Sequence, residues 1–196
     1  APSAVQNNFA GIVAGILPDP AQSKPLEVWF QDEARVGQQG TLTRIWARRG
    51  SRPRAPRDTR YKWSYIFGAA CPARGTAAGL ILPYVNAEAM GLHLEEIAKA
   101  VVPGAHALLI VDGAGWHCAK ALDVPDNITL LKLPPYAPEL NPMENVWAYL
   151  RANKLAISVF DSYGDILNKC QDAWNFFAND PERITSITSR NWITVS

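Results

Sequence analysis

Apolar residues near the start of the chain recur at helical spacing. Val5, Phe9, Ile12, Val13, Ile16 and Leu17 mark one face of a helix over about 5–17, which the proline-containing stretch 18–25 ends. From Leu26 to Gln31 the pattern becomes that of a strand, broken or turned by Gly37 and Gly40 toward a second strand around Leu42 to Trp46. Residues 62–70 and 77–85 read as two more strands, so the first half predicts an antiparallel meander. Asn86 then caps a helix to about Val102 whose face carries Met90, Leu94, Ile97, Ala98 and Val101. The second half changes rhythm. Ala107 to Val111 is continuously apolar, as expected of a strand covered on both faces, and it closes at Asp112-Gly113. A brief helix around Ala119 to Leu122 leads to a second buried strand in residues 128–136. Three helical signals follow: about Pro142 to Ala152, Tyr163 to Ala178 with Ile166, Leu167, Cys170, Trp174 and Phe177 on one face, and a start at Asp180-Pro181-Glu182. The order is that of an α/β domain, with a helical lead-in over 1–25 and one folded unit over 26–196.

A chain of 196 residues, 48% of them hydrophobic, can bury one good core, and its longest apolar runs are far too short to cross a bilayer. No stretch resembles a signal peptide, so a cytoplasmic protein is expected; the first residue is Ala1, so the numbering reads as starting inside a longer product. Cys71, Cys118 and Cys170 are odd in number and widely spaced, which points to neither a disulfide framework nor a structural zinc site. The net charge of +1 argues by itself against nucleic acid, but the distribution is uneven. Arg44, Arg48, Arg49, Arg52, Arg54, Arg57, Arg60 and Lys62 face a single acid, Asp58, in a Pro- and Gly-rich loop. Such a segment can track a phosphate backbone, with Arg48, Arg49, Arg52 and Arg54 as DNA-binding candidates; a merely solvated face is the alternative.

Three carboxylates stand where a rigid element exposes a side chain. Strand side chains alternate, so Val28, Phe30 and Asp32 share one side while Glu33 points away, and Leu108, Ile110 and Asp112 share a side likewise. Gly113 and Gly115 leave the end of that strand open, and ligands collect at the carboxyl ends of parallel strands. Glu144 falls in the first turn of a helix, beside the apolar line Met143, Val146, Trp147 and Leu150. Three hard, fully charged oxygen ligands suit Mg²⁺ or Mn²⁺, and two such ions about 4 Å apart can activate one oxygen and stabilise another during displacement at phosphorus. Each acid also has a structural reading. Asp112-Gly113 is a common strand-to-turn pair, Asp32-Glu33 can be a solvated strand end, and Asn141, Pro142 and Glu144 spell a capping box.

The segments FQDEAR (30–35), LLIVDGAGWH (108–117) and LPPYAPELNPMENVW (133–147) resemble the three catalytic blocks of bacterial insertion-sequence transposases related to the mariner group, the DDE class. The resemblance runs from about Leu26 to Arg190 and is most specific in the third block. It implies a ribonuclease H-like fold, a mixed five-stranded sheet flanked by helices. It implies that Asp32, Asp112 and Glu144 are the triad that holds two divalent cations, Mg²⁺ or Mn²⁺. It also implies cleavage of transposon ends by water, followed by attack of the freed 3′-hydroxyl on target DNA, usually at TA. Thirty-one residues separate Asp112 from Glu144, slightly fewer than is usual in that group, which reads as a shorter loop. The partners it implies are double-stranded DNA, a second copy in a homodimer, and a helix-turn-helix recognition domain, either missing from a catalytic fragment or encoded or supplied separately.

Two alternatives compete: a catalytically inactive DNA-binding or assembly module that keeps the fold, and a glycoside hydrolase that uses two of the carboxylates. His117, five residues after Asp112, is a second-tier site residue that can orient a phosphate, a water or the metal shell. His93 on a helix and His106 in a turn are expected in surface or packing roles, and the tryptophans are expected to fill the core.

Overall fold

Leu26–Gly37 (β1), Trp63–Cys71 (β2), Thr76–Leu82 (β3), His106–Val111 (β4) and Ile128–Lys132 (β5) form one sheet in the computed structural model, ordered β3-β2-β1-β4-β5. The structure describes residues 4–37, 48–51, 62–113, 122–134, 138–155 and 159–193. The strand expected around 42–46 and the helix expected from Ala119 lie outside them, apart from Leu122. β1, β2 and β3 make the antiparallel meander, while β4 and β5 run parallel to β1. β1 does not stop at Gln31 but continues to Gly37, held beyond Phe30 by β2 alone.

Alternation along the strands sorts side chains into two cores. Phe30, Ile66, Ala70, Leu108 and Ile110 face one side, with helices Ala4–Asn7 (α1), Phe9–Ile16 (α2), Met143–Leu150 (α5), Tyr163–Ala178 (α6) and Pro181–Thr188 (α7) contributing to the same cluster. A one-turn helix, Asp19–Gln22 (α3), leads into β1. Trp29, Ala69, Ala107, Leu109 and Val111 face the other side, covered by Met90, Leu94 and Ile97 of helix Ala87–Ala100 (α4). Asn86 caps α4 as the sequence predicts, its side chain accepting from Ala89 N at 2.8 Å. Each fully buried Leu or Ile in these faces contributes roughly 1.5–3 kcal/mol, so a one-residue register slip, which exchanges the two cores, is strongly disfavoured.

A network the sequence did not announce ties down the end of the sheet remote from the acids. Buried Glu27 accepts from Trp29 Nε1 at 2.9 Å, from Val102 N at 3.1 Å and from Arg74 Nη1 at 3.1 and 3.2 Å. Arg74 also reaches Ala100 O at 2.8 Å, so one ion pair joins β1, the turn between β2 and β3, and the end of α4. His106 is the first residue of β4 and is buried, which corrects the turn position expected of it; its Nε2 pairs with Thr129 Oγ1 at 2.8 Å. His93 is buried on α4 with its ring 5.7 Å from that of Phe67, a packing role. Burial pushes the Cys71 thiol up to about 11 and the Cys170 thiol up to about 12, so both stay protonated at neutral pH.

Candidate active site

The parallel register puts two of the acids side by side. Val28 lies opposite Leu108 and Phe30 opposite Ile110, the last paired rung. Asp32 and Asp112 each stand two residues beyond it, one near the middle of β1 and the other just past the end of β4. Even-numbered residues on both strands face the cluster that contains Phe30, Leu108 and Ile110; Asp32 belongs to that face, and Asp112 follows directly on β4. α5 packs on the same face through Met143, Val146, Trp147 and Leu150, and it carries Glu144, exposed, in its first turn. Asp32 and Asp112 are half-buried. Among the described residues no three acidic, imidazole or thiol side chains stand close enough to enclose an ion.

Asp32 is held by two hydrogen bonds. Its Oδ1 accepts from Glu33 N at 2.8 Å and its Oδ2 from Trp147 Nε1 at 2.9 Å. Burial pushes its carboxyl up to about 7; these two hydrogen bonds oppose the rise, and repulsion from Glu33 and Glu144 adds to it. A carboxylate held this way near others is stabilised by a cation, and all-oxygen donors select a hard one. Carboxylate oxygens of this kind have the chemistry that suits Mg²⁺ or Mn²⁺.

The start of α5 differs from the expected capping box. Pro142 occupies the N-cap position, and buried Asn141 accepts from Met143 N at 3.1 Å through its side chain. Glu144 N meets only the Asn141 backbone oxygen, at 3.3 Å, and among the described residues the Glu144 carboxylate makes no capping bond. The capping reading of Glu144 therefore falls, and its carboxylate is left at the mouth of the site. Asn141 Nδ2 donates to Gln31 O at 2.9 Å, joining the helix start to the strand beside Asp32.

Glycines in the sheet let the indoles approach its backbone closely. Asp32 pairs with Gly68 and Gly68 with Gly79, one rung across three strands. A β-carbon at Gly68 would stand 2.6 Å from Trp174 Cζ3 and 2.7 Å from Trp147 Cη2, and one at Gly79 would collide with the Trp174 indole nitrogen. The absence of side chains there brings Trp147 within reach of Asp32. The expectation that Trp147 and Trp174 fill the core holds, but sequence reasoning missed the polar contact of Trp147 with the site.

Of the DNA-binding candidates, Arg48 and Arg49 are exposed in a turn where Ser51 N and Oγ both donate to Arg48 O, at 2.9 and 2.6 Å. Arg52, Arg54 and His117 lie outside the described residues. Arg35, exposed on β1 beyond Asp32, stacks 5.3 Å from the ring centre of Trp63.

A mixed five-stranded sheet in this order, with helices on both faces, defines the class: this is a ribonuclease H-like fold of the kind found in DDE transposases. It is similar to the Mos1 transposase paired-end complex with left transposon end, at TM-score 0.60 and 19% identity over 93% of this chain and 57% of that one. It is also similar to the Mos1 mariner paired-end complex with Mn, at TM-score 0.58 and 18% identity over 95% of this chain and 61% of that one. The chain thus spans about three fifths of the Mos1 chains it matches. The model of the DDE superfamily endonuclease family matches residues 27–166, and the chain belongs to that family. A relative from Sinorhizobium fredii (strain NBRC 101917 / NGR234), the uncharacterized protein y4pE/y4sA, is 55% identical over 130 residues, which is 66% of this chain and 96% of the relative. No helix among the described residues is long and apolar enough to cross a membrane.

Proposed function

We propose that this chain is the catalytic domain of a DNA transposase, with Asp32, Asp112 and Glu144 holding two divalent cations at the end of the sheet. The observation that carries this reading is the coincidence of Asp32 and Asp112 two residues past the same rung, with Asp32 on the face where α5 brings Glu144. The folded unit over 26–196 does the chemistry, and α1 and α2 of the segment before it pack into its core. It acts on DNA in the bacterial cytoplasm.

Bound Mg²⁺ or Mn²⁺ would activate the attacking oxygen and offset charge on the leaving one in an in-line displacement at phosphorus. The chain's own residues divide the remaining work. Asp32 supplies a carboxylate whose two oxygens are each already aimed by one N–H donor. Asp112 closes β4 and is followed by exposed Gly113, where a phosphodiester backbone can approach without meeting a side chain. Glu144 presents its carboxylate from α5, outside the core. Water or a DNA 3′-hydroxyl is the nucleophile, so no covalent enzyme intermediate is needed. A helix-turn-helix domain, encoded or supplied separately, would choose the ends to be cut, and pairing of two copies would bring two ends together.

The purified chain is expected to nick supercoiled DNA with added Mn²⁺ and not in the presence of a chelator. Asp112→Asn should remove the metal-dependent nicking while keeping or raising duplex affinity; undiminished nicking by that variant would overturn the assignment. For the arginine-rich loop, neutralising Arg48, Arg49, Arg52 and Arg54 should flatten the fall of log affinity with log salt by roughly 0.9 for each phosphate that the loop no longer neutralises. An unaltered slope would place the DNA elsewhere.

A further inference from the structure

We propose that Trp147 and Asn141 are positioning residues: together they lock the helix that bears Glu144 onto the strand that bears Asp32, and so set how tightly the site holds its cations. The proposal rests on the reading of the three acids given above. Asn141 and Trp147 lie three residues before and three after Glu144, about one helical turn on either side. Their partners are consecutive on β1. Asn141 Nδ2 donates to Gln31 O and Trp147 Nε1 to Asp32 Oδ2, each at 2.9 Å. Two bonds to adjacent strand residues, straddling Glu144, fix both the height and the rotation of α5 over β1.

Packing alone does not require the second bond. Trp147 is 2% exposed, and its ring already fills the space above Gly68. A buried indole N–H needs an acceptor, and here it is a carboxylate oxygen of a candidate metal ligand. With Glu33 N on Oδ1, both Asp32 oxygens have one lone pair engaged and the plane of the carboxylate is fixed. Residues that hydrogen-bond to a ligand in this way commonly change metal affinity 10–100-fold when removed. The same indole reports on the third ligand, because any rotation of α5 that displaces Glu144 also stretches the bond to Asp32.

The test is Mn²⁺ binding to the whole chain, followed by the electron paramagnetic resonance of free Mn²⁺, without DNA. Trp147→Phe keeps an aromatic ring in the core and deletes the donor, and Asn141→Ser keeps a capping oxygen and deletes the amide. Each is expected to raise the half-saturating Mn²⁺ concentration about 10–100-fold, with nicking restored by excess Mn²⁺ and metal-free duplex affinity unchanged. Variants that melt lower but bind Mn²⁺ at the wild-type midpoint would reduce both residues to packing and overturn the proposal. If Trp147→Phe does not fold, Asn141→Ser decides the matter alone. Failure of the wild-type chain to take up Mn²⁺ would instead remove the reading of the three acids, and this proposal with it.

Discussion

Asp32→Asn is expected to abolish metal-dependent nicking and, in the same molecule, to raise the stability of the metal-free protein at neutral and alkaline pH. The first effect follows from removing a charged ligand. The second follows from the Asp32 carboxyl, which burial pushes from an ordinary value of 3.8 up to about 7. Well below pH 3.8 the group is protonated in both folded and unfolded chains and costs nothing. Between about pH 4 and 7 the unfolded chain ionises while the folded one keeps its proton, so stability falls as pH rises through this window and levels off above it. Asparagine carries no such burden. Wild type and variant should therefore melt alike well below pH 3.8 and diverge by on the order of 2–4 kcal/mol above pH 7. Saturating Mn²⁺ should reverse the order, because only the wild type gains from binding. Mn²⁺ affinity should weaken as pH falls below about 7, since the proton competes for the same oxygens. Parallel melting curves for the two proteins across that range would show that Asp32 is not held in this way.

The second large effect is expected at a residue with no side chain. Gly68→Ala adds one carbon where the Trp147 and Trp174 rings already lie, at 2.6–2.7 Å, and both indoles would have to move. Overpacking of this kind costs about 1–3 kcal/mol, well above the 0.5–1 kcal/mol that alanine ordinarily gains over glycine in a strand. The displaced Trp147 also leaves Asp32, so Mn²⁺ binding should weaken along with the fold. Gly91→Ala is the internal control: Gly91 sits inside α4 with nothing within 4 Å of a new β-carbon, and the change should stabilise by roughly 0.8–1 kcal/mol. Chemical denaturation of the three proteins separates these outcomes, and a Gly68→Ala protein as stable as wild type would mean that the indoles have room to retreat.

What the sequence made legible was local or periodic. Alternation placed Asp32 with Phe30 and Asp112 with Ile110, and the register of β1 and β4 put Phe30 and Ile110 on one face. The caps at Asn86 and Asp180 were readable because a cap and its partner lie three residues apart. The contacts that shape the site are not of that kind. Trp147 and Asp32 are 115 positions apart, and Asn141 and Gln31 are 110. Trp147 looked like core filler because it is core filler, and its single polar atom acquires a role only when the helix lands on the strand. One signal was available. Gly68 inside an otherwise β-rich run marks a place where something approaches the backbone closely, and Gly79 repeats it. The capping box at Glu144 misled for the opposite reason: the pattern was right in type, but Asn141 spends its side chain on Met143 N and on the neighbouring strand.

The early end of β4 sets the depth of the site. Pairing from β4 to β1 begins with His106 N donating to Pro25 O at 2.9 Å, and alternate β1 carbonyls face that edge thereafter. Gln31 O is the next acceptor after the last rung, and Asn141 takes it. One more paired residue on β4 would bring a backbone N–H to the same oxygen and press against the start of α5. The length of one short strand thus acts as a ruler: it stops one rung before the acids, and the gap it leaves is where the third carboxylate's helix is anchored.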